Sequence, residues 1–189
     1  MSTMVPQREA TIEDLYKIDG KAEIVNGRIV RMPPTGDDPG YAGDRVFISL
    51  DNYAEQTGAG RAVSDNKGFH VKLPNRKAFS PDAAYLTAKR AGMKFIEGAP
   101  AFAVEVRSEG DYGQAAERRM AEKRRDYFAA GTLVVWDVDL LSEDVVKVYR
   151  ESDPENPMIY RRGEMAEAEP AVPGWRMPVD KLFPPPEAD

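Results

Sequence analysis

Residues Pro100 to Arg107, PAFAVEVR, form a short apolar run with one carboxylate, Glu105, inside it. Turn-forming residues bound the run, Gly98 to Pro100 before it and Ser108 to Asp111 after it, so it reads as a central strand covered on both faces. An unpaired carboxylate there costs several kcal/mol or takes up a proton, so Glu105 calls for a metal ion or a cation as partner. The two-residue period of a strand puts Glu105 and Arg107 on one face and Val104 and Val106 on the other.

The chain on either side supplies elements to surround that strand. Thr11 followed by Ile12, Glu13 and Asp14 marks a helix start. Lys21 to Met32 is a hairpin turning at Asn26–Gly27, with Glu23 in its first strand. Pro33 to Gly40 reads as a mobile loop, and Val46, Phe47, Leu50, Tyr53 and Ala54 then recur at helical spacing until Gly58. Gly60 to Leu73 alternates like two short strands around Asn66–Lys67–Gly68, Pro74 to Ser80 is a polar connection, and Asp82 to Leu86 is a further strand. Thr87 to Gly98 reads as a short helix or turn. Tyr112 to Ala130 carries an amphipathic pattern that Gly131 stops. Thr132 to Val138 is a second buried strand, Val145 to Tyr149 an outer one, and Met158–Arg161 and Glu164–Ala166 are shorter strand candidates. The order describes an α/β or α+β single domain, a mixed β-sheet core flanked by helices with an N-terminal helix and β-hairpin ahead of it.

Composition narrows the chemistry. Without cysteine, and with His70 as the single histidine among 189 residues, a thiolate or histidine zinc site is excluded. Any metal is a hard, oxygen-ligated ion such as Mg²⁺ or Mn²⁺. No signal-peptide pattern and no long apolar run is present, so the expectation is a cytoplasmic protein without a membrane partner. A net charge of −6 gives no general attraction to nucleic acid, although a local basic face can still exist.

Asp82 follows Pro81 and opens its strand. If that strand lies beside Glu105, two carboxylates and a cation meet at one edge of the sheet, a set that can hold a divalent ion and stabilise charge on a phosphate. Lys123 sits between Met120 and Tyr127 in the stripe that faces the sheet, within reach of Glu105. Arg118, Arg119, Arg124 and Arg125 alternate with Glu117, Glu122 and Asp126 and read as a solvated helix face laced with ion pairs. His70 reads as an ordinary strand residue, and Trp136 and Tyr127 as core.

Four stretches in order, AEIVNGRIV, SPDAAYL, AVEVRSEGD and KRRDYFAAGTLVVWDVD, resemble the Uma-type restriction endonuclease family of the PD-(D/E)XK nuclease superfamily. The resemblance implies a restriction-endonuclease-like fold and Mg²⁺-dependent (or Mn²⁺-dependent) hydrolysis of phosphodiester bonds in DNA. Position by position, it implies Asp82 and Glu105 as the acidic pair and metal ligands, with Glu23, the further acid of the early hairpin, joining the metal site by assisting through the metal or its waters. The position usually held by lysine is Arg107, and Lys123 on the helix looks like the migrated replacement. An arginine cannot serve as a base, so Lys123 and Arg107 remain alternative sources of the catalytic cation. The histidine typical of the second helix is absent, the stretch reading Tyr41–Ala42–Gly43–Asp44. The expected organisation is a flexible tail over 1–10, one nuclease-like domain over 11–175 and a Pro-rich tail over 176–189. A homodimer would suit cleavage of both strands.

Two other classes fit the same residues. A catalytically inactive nuclease-fold module would bind nucleic acid or protein without cutting. A structural or interaction protein would use Glu105 only to complete a buried ion pair.

Overall fold

In chain order, the computed structural model, which describes residues 8–186, begins with a single helical turn, α1 (Ile12–Leu15). The hairpin β1 (Ala22–Val25) and β2 (Arg28–Arg31) follows, and its turn residues Asn26 and Gly27 have φ of 49° and 71°, the left-handed pair that a tight hairpin requires. Helix α2 (Asp37–Thr57) starts inside the segment expected to be a mobile loop. Asp37 and Asp38 complement its N-terminal dipole, and Pro39 lies in the first turn, where no intrahelical donor is lost.

Next come β3 (Arg61–Ser64), β4 (Phe69–His70), β5 (Ala78–Phe79), β6 (Ala83–Leu86), β7 (Ile96–Glu97) and β8 (Phe102–Val106). Helix α3 (Gln114–Ala129) leads to β9 (Val134–Val138), β10 (Val146–Arg150), β11 (Asp153–Tyr160), β12 (Met165–Glu167), β13 (Arg176–Pro178) and a 3₁₀ turn over Val179–Leu182.

The main sheet has six strands in the order β11-β10-β9-β8-β6-β3, mixed because β8 and β9 run parallel while the other pairs are antiparallel. The apolar run with Glu105 therefore lies in the middle of the sheet. Alternation along the strands divides two cores. Ala83, Tyr85, Phe102, Val104, Val134 and Trp136 pack with α2 and the C-terminal segment. On the other face, Ala84, Leu86, Ala103 and Val135 pack with Tyr127 of α3 and with the small sheet β5-β4-β7.

The two short strands expected over 60–73 are β3 and β4, which join different sheets, because Phe69 and Val71 are buried in the core with Tyr127 while β3 pairs with β6. Of the short helix or turn expected between Thr87 and Gly98, the structure has the turn, at 92–93 before β7. One expectation is corrected. The segment from Arg176 is no loose tail: β13 pairs with β12, and Met177, Val179 and Leu182 are buried. Trp175 anchors this segment against Phe102 and Trp136, with ring centroids 5.7 and 5.2 Å away. Of the expected N-terminal tail, residues 1–7 lie outside the described residues, while Ala10 donates to Gly27 O at 2.8 Å and Arg8 pairs with Asp14 at 3.0 Å. Residues 187–189 likewise lie outside them.

Leu182 is 1% exposed, so Leu182→Ala is expected to lower unfolding free energy by about 2–5 kcal/mol in urea titration, against no change if the segment were a free tail.

Candidate active site

The site forms where β6 and β8 leave the sheet beneath α3, with the hairpin closing the other side. Asp82 immediately precedes β6, and the antiparallel register Ala83↔Val104 brings it beside the end of β8. Its backbone N–H donates to Val104 O at 3.0 Å, and its Oδ2 accepts from Val106 N–H at 2.7 Å. That pair of bonds fixes the carboxylate near Glu105.

Glu105 is approached from α3 by two donors one turn apart, Lys123 Nζ to Oε2 at 2.8 Å and Tyr127 OH to Oε1 at 2.6 Å. Lys123 also reaches Glu23 Oε1 at 2.9 Å, so one ammonium joins the hairpin to the central strand. Glu23 is 4% exposed. Its oxygens accept from Arg76 Nη1 at 2.6 Å, Ser80 N–H at 2.9 Å and Lys123. Arg76 continues to Asp126 on α3 through Nε at 2.8 Å, and Asn75 Nδ2 holds the other oxygen of Asp126 at 2.9 Å. Lys21 bridges Asp82 at 2.6 Å and Asp65 at 2.7 Å.

Burial and mutual repulsion set the titration of this cluster. Burial raises the Glu105 pKa, and the neighbouring charges of Asp82 and Glu23 push the same way against the pull of Lys123. For Glu23, burial also raises the pKa, but Lys123 and Arg76 overcome it and hold the carboxyl below its ordinary value. Burial alone would lower Lys123, yet Glu105 and Glu23 outweigh it and raise the pKa, so Lys123 is a cation throughout the neutral range. Lys21 is raised in the same way, with Asp82 and Glu105 outweighing its burial.

Asp82, Glu105, Glu23 and Lys123 all line one cleft of about 470 Å³, together with Lys21 and Arg76. Arg107 lines it too, on the face of β8 that Glu105 occupies, but it does not pair with Glu105. Its guanidinium forks onto Asp137 of β9 through Nε at 2.8 Å and Nη2 at 2.9 Å, and onto Glu117 of α3. The parallel register Glu105↔Asp137 explains the choice, because it sets Asp137 on the same face.

Among the described residues, no three acidic or histidine side chains are grouped to hold a metal. Both oxygens of all three acids accept from protein donors, but Glu23 does so in a buried position, whereas the side chain of Glu105 is 23% and that of Asp82 12% exposed. Asp82 and Glu105 are two hard oxygen donors at one cleft, the residues that could hold a divalent ion by exchanging the donors they now accept from. The ion-paired cluster holds five carboxylates (Glu23, Asp65, Asp82, Glu105, Asp126) against three cations (Lys21, Arg76, Lys123), two negative charges in excess.

Sequence reasoning overlooked Lys21, Arg76, Asp126 and the hydroxyl of Tyr127. Lys21 was accessible to it, since it lies two residues before Glu23 and so on the same face of the strand. Arg76 carries no such signal, sitting in a connection without periodicity. Asp126 is 8% exposed rather than solvated, and Arg124 packs its guanidinium on the Tyr149 ring at 4.0 Å while Arg118, Arg119 and Arg125 are exposed. His70 faces Glu97 at 3.1 Å, away from the cleft-lining set.

A family model described as "Uma2: Putative restriction endonuclease" matches residues 10–180. The chain belongs to the Uma2 family. A solved structure described as a "putative nuclease belonging to DUF820" from Anabaena variabilis shares the fold, with a TM-score of 0.70 at 16% identity, covering 92% of this chain and 97% of that one. None of the curated proteins compared with the chain matches it. Among the described residues no helix is long and apolar enough to cross a membrane.

Glu23→Gln is expected to cost about 3 kcal/mol at pH 7, because Arg76 and Lys123 each lose a buried partner. The wild-type Glu23 pKa lies below its unfolded value of about 4.5, so its contribution is complete above that pH and disappears as the pH falls through the folded value. Urea titrations at pH 7 and in acid should show the gap between the two proteins closing in acid.

Proposed function

We propose that this Uma2-family chain is a metal-dependent endonuclease that hydrolyses phosphodiester bonds in DNA. The observation that carries the reading is the meeting of Asp82, Glu105 and Lys123 at one cleft, where two neighbouring strand ends and a helix converge. Asp82 and Glu105 would hold Mg²⁺ or Mn²⁺, which supplies a Lewis acid for the phosphate charge and lowers the pKa of bound water.

The protein's own groups divide the remaining work. Lys123, permanently charged at neutral pH, orients water or a phosphate oxygen beside Glu105 and offsets charge as the leaving oxygen departs. Glu23 holds Lys123 in place from the hairpin side and acts through it. Lys21 fixes Asp82 and adds positive charge at the cleft floor. Arg107 can reach a phosphate only by giving up Glu117, whose side chain is 50% exposed, while Asp137 keeps its grip. Lys123 is therefore favoured over Arg107 as the catalytic cation.

Every carboxylate oxygen of Asp82, Glu23 and Glu105 already has a protein donor, which favours a second reading, a binding module that keeps the fold without cutting. Incubation with supercoiled plasmid and with single-stranded DNA, in Mg²⁺, Mn²⁺ or chelator, separates the two. The nuclease reading expects metal-dependent cutting that falls by about 10²–10³-fold in Asp82→Asn, Glu105→Gln and Lys123→Met. It also expects Mn²⁺ to raise the melting temperature of the wild type and not of Glu105→Gln. Because the Lys123 pKa is raised above 10.5, loss of its charge should not reduce the rate between pH 7 and about pH 9. Binding without cutting, and melting indifferent to metal, would favour the module.

A further inference from the structure

Beside its charges the cleft carries apolar side chains that the nuclease reading does not use. In the β1–β2 register Glu23 faces Val30, and the pairing continues with Met32 N–H donating to Lys21 O at 2.9 Å. Directly paired residues of an antiparallel hairpin share a face. One face of the hairpin therefore carries Lys21 and Glu23 on the first strand, with Val30 and Met32 alongside on the second. The other face, with Ala22, Ile24 and Ile29, packs with α1. Val30 is 46% exposed and lines the cleft, as do Met32, Pro33 and, from α3, Met120.

A cleft built only to grip a phosphate backbone has no use for exposed apolar side chains a few ångströms from its ionic floor. Nucleic acid offers one large apolar surface, the face of a base, and in an intact duplex that face is stacked away. The cleft of about 470 Å³ is in the range of a pocket for a compact ligand of drug size, which suits one nucleotide. Arg119 lines the same cleft, and Lys21 and Lys123 offset part of its acidic charge where the phosphate would lie.

Resting on the nuclease-site reading, we infer that the cleft takes single-stranded DNA, seating one unstacked base against Val30 and Met32 while its phosphate meets the Asp82–Glu105–Lys123 cluster. Apolar packing on the base face supplies affinity without reading sequence. Intact duplex is disfavoured, because its bases have to be opened first.

The test is fluorescence anisotropy of the full-length protein in Ca²⁺, a hard ion that neutralises the acids in place of Mg²⁺ or Mn²⁺, with three labelled probes of equal length: a single strand, its duplex, and a single strand whose central nucleotides are abasic. The single strand is expected to bind about tenfold tighter than either of the others, from the apolar area a base buries against Val30 and Met32. Val30→Ser combined with Met32→Ser should remove that advantage. Met32→Trp, which offers a larger platform, should increase it, and melting curves confirm that each variant is folded. Equal binding of the base-bearing and abasic strands, or variants that leave the single-strand preference intact, would overturn the inference. The nuclease reading fails or survives separately. Cutting of intact plasmid as fast as of single strands, unchanged by the serine pair, retains the nuclease and removes the base seat. Base-dependent binding without metal-dependent cutting retains the base seat and removes the nuclease.

Discussion

Arg76 bridging Glu23 and Asp126 is the contact on which the arrangement of this protein turns. It is 5% exposed and joins the hairpin to α3, which are otherwise separate in sequence and in sheet. Asp126 lies one turn beyond Lys123, so fixing Asp126 fixes the height and rotation at which Lys123 enters the site. A buried guanidinium is costly to desolvate, and ion pairs of this kind add little net stability compared with an apolar replacement. Their value is geometric, since a planar fork with two carboxylates accepts only one relative placement of the elements that carry them.

The same logic runs through the rest of the site. Glu23 shares its oxygens among Arg76, Ser80 and Lys123, and Lys123 shares its protons between Glu23 and Glu105. Each group is held by two others, which leaves few alternative arrangements. On the β9 side of β8, Arg107 is clasped by Asp137 and Glu117 in a second fork that ties α3 to β9. Helix α3 is thus pinned by arginines at two places, to the hairpin through Arg76 and to the sheet through Arg107, with Tyr127 stacked on Phe79 at 4.0 Å. That rigidity suits a site whose reacting groups need fixed separation.

Much of the fold was legible because strands and helices announce themselves by period. The central strand, the hairpin turning at Asn26–Gly27, the strand after Asp82 and the helix carrying Lys123 all follow from local pattern. The C-terminal segment did not, because its prolines suggested a tail while its burial depends on Trp175 meeting Phe102 and Trp136, residues distant in sequence. For the candidate site, alternation placed Glu105 and Arg107 on one face, and helical spacing turned Lys123 toward the sheet. Neither rule says which of several neighbours an arginine chooses, and Arg107 chose Asp137.

The sequence by itself determined that Glu105 would be a carboxylate in a buried strand, that Asp82 would open another, and that Lys123 would point inward. It also determined the Uma2 character of the chain through four short stretches in order. Only the tertiary structure decided that β6 runs antiparallel beside β8, that Lys21 and Arg76 enter the ionic cluster, and that Val30 and Met32 of the hairpin line the cleft. The physical reason is that local rules fix the direction of a side chain relative to its own backbone, whereas the partner it meets depends on the registers and crossings that assemble distant segments.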